Sequence, residues 1–416
     1  MKQLINRSLA ALLALSLLAG CSQTAPGDAS SVPQQETSAS EAEPTIPEPP
    51  QPEPEPPTET DAVSLLLQNM TLREKVGQLF LVRPDALDLS QTEDQIEDPA
   101  GAGVTELSGA MADTLAQYPV GGLVLFGKNI ASPEQTTNFI RDMQAASGTP
   151  LFIAVDEEGG LVARLANDPA FAVRQYQSAA SVGESGDLAA AMDMGATIGA
   201  YLRQYGFNLD FAPVADVNSN PKNTVIGTRA FSSDADVAAG MAKAMAEGLK
   251  QEQIIPTFKH FPGHGDTAED SHVGIAVSYK TKAEMEACEW LPYASLTARD
   301  CVMVGHIAAP AITGNLTPAS MSGEIVGGIL RQQLNFPGVV ITDSLEMGAI
   351  TQEYSPAEAA VTAIEAGCDI LLCPEDLQAA FEAVMNAAEN GTISQACIDE
   401  SVSRILLLKQ SYGLLK

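Results

Sequence analysis

The sequence predicts an α/β protein whose folded part is a single (β/α)8 barrel of the TIM type, and three observations carry that expectation. Eight short apolar runs recur along the chain, at 79–82, 122–126, 151–155, 208–212, 255–258, 302–305, 339–342 and 370–373. Continuous runs of this kind read as parallel strands buried on both faces. Helical patterns separate them, clearest at 133–146, 187–204, 235–251 and 357–366, and such alternation favours a parallel sheet wrapped by helices. Polar residues also gather where the runs end: Asp156 after the third, Asp216 after the fourth, Lys259 and His260 after the fifth, His306 after the sixth and Asp343 after the seventh. A barrel collects its functional groups at the C-terminal ends of its strands. One aspartate in such a place is commonly a helix N-cap, but five coincidences ask for another explanation.

The N-terminus is read separately from the fold. Lys2 and Arg7 are followed by Leu9 to Gly20, twelve residues without a charge, which is the pattern of a secretory signal too short to span a bilayer comfortably. The run ends Leu18-Ala19-Gly20-Cys21 and resembles the lipobox of bacterial lipoproteins. That resemblance implies a signal peptide over 1–20, lipid on the Cys21 sulfur, and an extracytoplasmic protein anchored to the cell membrane. Residues 21–60 are rich in Pro, Glu, Ser and Thr, and no Lys or Arg occurs between Arg7 and Arg73. Such a stretch buries too little apolar surface to offset its ordering entropy, so a disordered, extended tether is expected. At roughly 3 Å per residue it reaches up to ~100 Å.

The barrel is expected over residues 61–416 as one domain. Met70-Thr71-Leu72-Arg73-Glu74 places an acid three residues after a threonine, a capping box that opens a helix. The first and second runs are separated by an acidic, glycine-containing insertion, 85–118, which is expected to shape one rim of a site. A helix at 394–408 closes the ring.

The formal net charge is −31, of which only about −7 falls in the first 61 residues. Acidity on this scale argues against nucleic acid and anionic lipid as partners. Five cysteines follow Cys21, namely Cys288, Cys301, Cys368, Cys373 and Cys397, without metal-finger spacing or an even count. Cys301 and Cys373 fall in apolar runs and are expected to be buried thiols.

Three of the four histidines lie in Lys-His-Phe-Pro-Gly-His-Gly-Asp-Thr-Ala-Glu-Asp-Ser-His, from Lys259 to His272. Glycine and proline mark this segment as a loop after the fifth run. Asp270 and His272 stand two apart, close enough for the carboxylate to orient the imidazole and leave its other nitrogen to move a proton. His260, His264, Asp266 and His272 are all acceptable zinc ligands by type. Their spacing is no familiar metal pattern, however, and Lys259 opposes a cation, so no metal and no cofactor are expected.

This loop resembles the signature of the β-N-acetylglucosaminidases of glycoside hydrolase family 3, of the bacterial peptidoglycan-recycling type. Further segments are similar in the same order: Val155-Asp156-Glu157-Glu158-Gly159-Gly160-Leu161-Val162-Ala163-Arg164, Asn208 to Val217, Ile226 to Phe231, and Gly338-Val339-Val340-Ile341-Thr342-Asp343-Ser344-Leu345-Glu346-Met347. The resemblance implies Asp343 as catalytic nucleophile and His272, paired with Asp270, as general acid and base. It implies that Asp156, Arg164, Arg229, Lys259 and His260 hold the terminal sugar, and His306 is expected to line the same pocket. His264 is expected to be structural, with Gly265 permitting the turn. Departures from the family pattern are Glu157 for a common Gln, Leu161 for a common Arg, Ser344 for a second Asp, and Ile275-Ala276 for Leu-Pro. The second αβα domain of many members is not expected.

The expected activity is therefore retaining removal of terminal, non-reducing GlcNAc from muropeptide fragments or chitooligosaccharides, by a protein expected to be a monomer. Three rivals stand beside it: a β-N-acetylglucosaminide phosphorylase, a β-glucosidase of the same family, and a sugar-binding lipoprotein without catalysis.

Overall fold

A computed structural model describes residues 59–98, 101–268 and 274–415. The signal segment, nearly all of the expected tether, Cys21, Asp270 and His272 lie outside the described residues. Eight parallel strands form the sheet: β1 (Phe80–Val82), β2 (Gly122–Val124), β3 (Phe152–Val155), β4 (Leu209–Asp210), β5 (Ile255–Phe261), β6 (Cys301–Val304), β7 (Val339–Thr342) and β8 (Leu371–Leu372). β1 to β7 pair in sequence order, and β1 pairs with β8 through Phe80 and Leu371. The remaining seam is joined by a bridge between Ile341 and Ile370, where the Thr342 N–H donates to the Ile370 carbonyl at 3.0 Å. The sheet is thus the barrel that the alternating pattern predicts. Every residue of these eight strands is buried, which is why the runs are mainly apolar rather than alternating.

Two strands differ from the sequence expectation. Residues 208–212 read as one run, yet β4 is only Leu209–Asp210. At its start the Asn208 side chain extends the backbone pairing: Oδ1 accepts from the Ile153 N–H at 2.8 Å and Nδ2 donates to the Leu151 carbonyl at 3.0 Å, while the Asn208 N–H donates to the Ile153 carbonyl at 3.1 Å. In the other direction β5 is longer than expected. Lys259 and His260, expected in the loop, belong to the strand, because Phe261 pairs with Val304 and Lys259 bridges to Val214. The loop proper begins at Pro262.

Helices cover the barrel. Leu72–Gln78 opens with the expected capping box, the Thr71 N–H donating to Glu74 Oε2 at 2.7 Å. Pro133–Ala146, Leu188–Tyr205 and Ala235–Gln251 follow β2, β3 and β4, each started by a side-chain cap from Ser132, Asp187 or Asp234. A π-helical segment, Glu324–Gln333, connects β6 to β7, and Pro356–Ala366 connects β7 to β8. The last helix, Gln395–Ser411, starts at its Ser394 cap. It sends the fully buried Lys409 to Gln78 Oε1 (2.7 Å) and the Gly121 carbonyl (3.0 Å), where β1 and β2 begin.

The insertion after β1 contains a short helix, Glu93–Glu97, and a longer one, Gly109–Gln117. Its Ile96 carbonyl accepts from Arg83 (2.6 Å) and Lys128 (2.5 Å), so both cations tie it to the strand ends. Arg83 also pairs with Glu346, and its guanidinium sits 4.4 Å from the centre of the Phe126 ring. Cys301 and Cys373 are buried, as expected.

Candidate active site

The C-terminal ends of the strands surround a cavity of about 270 Å³. One side is polar, with Asp156, Glu158, Arg164, Arg229, Lys259, His260, His264, Asp343 and Glu346. Phe126, Phe211, Met303, Met347 and Leu372 supply apolar wall. Six sequence-selected residues (Asp156, Arg164, Arg229, Lys259, His260 and Asp343) therefore meet in one place, although 187 positions separate the first from the last.

The polar side is a chain of ion pairs. Asp156 directly follows β3, and the hairpin of Glu157–Gly159 with Val162–Ala163 comes next. Successive side chains on an extended strand point to opposite faces. Asp156 and Glu158 consequently share the cavity face, whereas Glu157 turns away. Lys259 Nζ lies 2.8 Å from Asp156 Oδ1 and 2.7 Å from Glu158 Oε1. Arg229 grips Glu158 with two parallel bonds of 2.8 Å, from Nε and Nη2, and Arg164 Nη2 reaches Asp156 Oδ2 at 3.2 Å. Burial alone would raise the Glu158 carboxyl, but the charges of Lys259 and Arg229 outweigh it and hold that group at about 2. Asp156 is held well below the usual range in the same way, by Lys259 and Arg164 against its burial. The pairs also raise Lys259 and Arg229, so all four groups are charged over the whole neutral range.

A second cluster fixes His260. Its Nδ1–H donates to Asp216 Oδ2 at 2.7 Å, which turns the other ring nitrogen away from Asp216. Asp216 also accepts the backbone N–H groups of His260 (3.2 Å) and His264 (2.6 Å). Burial raises Asp216, but His260 and these bonds lower it below the ordinary value. His264 packs edge-on against His260, with ring centres 5.8 Å apart, and lines the cavity. Its imidazole is depressed by burial and then by the neighbouring His260, so it is neutral near pH 7. Gly265 has a different reason from the one expected. A Cβ there would run into the Val217 carbonyl, so a close backbone approach requires glycine.

Asp343 immediately follows β7. Its N–H donates to the Val304 carbonyl at 2.9 Å, and its Oδ1 accepts from the Ser344 N–H at 2.9 Å. Burial would raise this carboxyl, but His260 and His306 and then the Ser344 N–H lower it, leaving an ionised group at the cavity wall. An oriented, ionised carboxylate facing cations that suit sugar hydroxyls is competent for nucleophilic attack on a bound glycoside.

His306 stands elsewhere than expected. It is fully buried and not part of the cavity lining. Its Nε2 lies 2.8 Å from the Ser344 carbonyl and its Nδ1 2.8 Å from Ser320 Oγ. These partners draw the ring beneath the Asp343–Ser344 turn, which it supports from behind. Ser344 contributes its N–H to Asp343 and its carbonyl to His306, while its hydroxyl has no partner among the described residues. Glu157 accepts from the N–H groups of Leu165 and Ala166, both at 2.8 Å, and from the Tyr201 hydroxyl at 2.9 Å. It organises the turn that carries Arg164 and does not face the cavity. Asp270 and His272 lie outside the described residues.

Glu158, Asp216 and His264 are site residues that the sequence reading did not select. Glu158 was open to discovery, because a residue two places from Asp156 on an extended hairpin shares its face. Asp216 had a strand-end signal without a partner to give it meaning.

Residues 71–408 match the model of the glycosyl hydrolase family 3 N-terminal domain. β-Hexosaminidase A of Pseudoalteromonas piscicida is 31% identical over 371 residues, covering 82% of this chain and 61% of that protein. The β-hexosaminidase of Idiomarina loihiensis is 34% identical over 312 residues, covering 74% of this chain and 92% of that one. Among solved structures, a family 3 β-N-acetylglucosaminidase from Paenibacillus sp. FPU-7 superposes with a TM-score of 0.74 at 34% identity, covering 83% of this chain and 63% of that one. The chain spans about three-fifths of the first of these relatives and nearly all of the second. On this match, and on the barrel whose strand ends bring its cavity residues together, the chain belongs to glycosyl hydrolase family 3.

Proposed function

We propose that this chain is a retaining exo-β-N-acetylglucosaminidase that removes terminal, non-reducing GlcNAc from muropeptide fragments or chitooligosaccharides. The observation that carries the reading is the position of Asp343, ionised and oriented, on the wall of a cavity whose polar side is the Asp156–Lys259–Glu158–Arg229 chain. In this reading Asp343 attacks the anomeric carbon and the leaving oxygen takes a proton from His272, which Asp270 orients. Water, deprotonated by the same histidine, then releases the sugar from the aspartyl ester. Asp156 accepts from ring hydroxyls, while Lys259, Arg229, Arg164 and His260 donate to them. A small cavity with charged and apolar sides suits one terminal sugar better than the middle of a chain, in keeping with exo action. The names of the relatives support hexosamine as the sugar.

A lipid on Cys21, after removal of residues 1–20, would hold the protein at the outer side of the cell membrane, with 21–60 as tether and 61–416 as a monomeric catalytic domain. Among the described residues no helix is long and apolar enough to cross a membrane. Parallel assays with nitrophenyl β-GlcNAc and nitrophenyl β-glucoside test the activity. Turnover restricted to the GlcNAc compound, giving free GlcNAc in phosphate buffer, supports it. Preference for the glucoside, release of GlcNAc-1-phosphate, or silence from folded protein would each replace it with one of the rivals.

A further inference from the structure

One charged group in the cavity wall has no part in the reaction steps. Glu346 lines the cavity together with Phe126, Met347 and Leu372, and it lies three residues beyond Asp343 on the turn that leaves β7. The Leu345 N–H donates to the Leu372 carbonyl at 2.9 Å, so this turn passes over the end of β8. Glu346 then meets Arg83, which directly follows β1. Its place is therefore the β8–β1–β2 part of the barrel mouth. The Asp156–Lys259–Glu158–Arg229 chain belongs to the other half of the ring, the ends of β3 and β5 and the segment between β4 and β5.

Arg83 makes this carboxylate a fixed feature. Besides pairing with Glu346, its guanidinium donates to the Ile96 carbonyl at 2.6 Å and lies 4.4 Å from the centre of the Phe126 ring. One cation thus joins the end of β1, the short helix of the insertion and two residues of the cavity wall. The Arg83 and Glu346 side chains are 7% and 16% exposed, so solvent and salt screen the pair little. In a small-molecule site, a polar group set among apolar side chains fixes orientation and specificity.

We propose that Glu346 is a specificity-determining residue that accepts the N–H of the 2-acetamido group of the terminal sugar, with the acetamido methyl against Phe126, Met347 and Leu372. Arg83 holds the carboxylate in place for it. This deepens the hexosaminidase reading and rests on it. Displacement at the anomeric carbon puts the leaving oxygen opposite the attacking Asp343 oxygen. A group on Asp343's own turn is therefore placed for the ring neighbours of that carbon rather than for the aglycone. The charged chain on the β3–β5 half holds the remaining hydroxyls, and the C2 substituent is the donor left for the Glu346 side. A carboxylate offers about four lone-pair sites, so its bond to Arg83 leaves it able to accept from a ligand.

The test compares nitrophenyl β-glycosides that differ only at C2, bearing acetamido, hydroxyl or hydrogen, with kcat/KM measured for wild type and each variant. Glu346→Leu is expected to lose at least about tenfold on the acetamido compound relative to the deoxy compound. The glucoside, which keeps a donor at C2, should fall with the acetamido compound, and the deoxy compound should stay within about threefold of wild type. Glu346→Gln keeps an acceptor oxygen and should retain most of the preference. If Glu346→Leu does not fold, the Arg83→Met, Glu346→Leu double variant carries the same test, because it leaves no unpaired buried cation. A loss equal across the three compounds, or a preference for acetamido over deoxy that survives removal of the carboxylate, overturns the role of Glu346 alone. Failure of the wider reading shows in wild type itself, as preference for the glucoside or silence on the acetamido compound, and this proposal then falls with it.

Discussion

Glu158→Gln tests the electrostatic account of the cavity most sharply, because Glu158 is the acceptor that Lys259 and Arg229 share. The substitution keeps the shape and removes the charge, leaving Lys259 paired with Asp156 and the buried Arg229 without its carboxylate partner. The Glu158 carboxyl sits at about 2 against an ordinary 4.5, a difference worth roughly 3 kcal/mol of stability when the group is ionised in both states. The sign follows from the depressed value: the contribution is complete above the unfolded pKa near 4.5 and drains away as pH falls towards 2. Glu158→Gln should therefore cost about 3 kcal/mol at pH 7, in line with breaking a buried pair by removing one partner. At pH 3.5 the deficit should shrink to about 2 kcal/mol. Thermal unfolding of both proteins at each pH measures this, with a fall in Tm on the order of 5 °C at pH 7. A variant as stable as wild type at pH 7, or one whose deficit is the same at pH 3.5, would refute the reasoning.

Other expectations follow from the same geometry. His272→Ala should slow natural substrates and phenyl glycosides by about 100-fold or more while largely sparing dinitrophenyl β-GlcNAc; equal losses count against it as the acid. Gly265→Ala places a methyl group against the Val217 carbonyl and should lower stability by about 1–3 kcal/mol, seen as a lower Tm together with reduced turnover; a neutral substitution contradicts the close approach. Burial depresses Lys409 to about 7 from an ordinary 10.5, so the unfolded chain binds its proton more readily above neutrality. Between pH 6.5 and 9 wild type should accordingly gain about 2–3 kcal/mol on Lys409→Met, and parallel unfolding curves would contradict that. His306→Ala should reduce kcat more than KM, because the ring supports the Asp343 turn and does not face the cavity; a change confined to KM places it against the sugar instead.

The fold was legible because burial on both faces leaves a plain mark, a short and mainly apolar run, and eight such marks separated by helices allow few arrangements. Much of the site was legible for a related reason. Charged groups gather towards the C-terminal ends of the runs, so Asp156, Lys259 and Asp343 stand out. What stayed hidden depended on distant partners. At the start of β4 the Asn208 amide bonds the Ile153 N–H and the Leu151 carbonyl, which no local pattern reveals. His306 looked like Lys259 and His260 in its strand-end position, yet Ser320 and the Ser344 carbonyl draw it under the wall. The direction of Glu157 and Glu158 was open to simple alternation, but their separate roles came from Tyr201 on one face and Arg229 on the other.

The central claim is that Asp343 forms the glycosyl-enzyme, and trapping that species tests it most directly. A fluorinated N-acetylglucosaminyl fluoride, whose covalent intermediate forms readily and hydrolyses slowly, is incubated with the full chain and the product read by intact mass and peptide mapping. The account predicts one added sugar residue on the peptide containing Asp343, absent in Asp343→Ala. An adduct on another carboxylate such as Glu346, or steady turnover by Asp343→Ala, would contradict it.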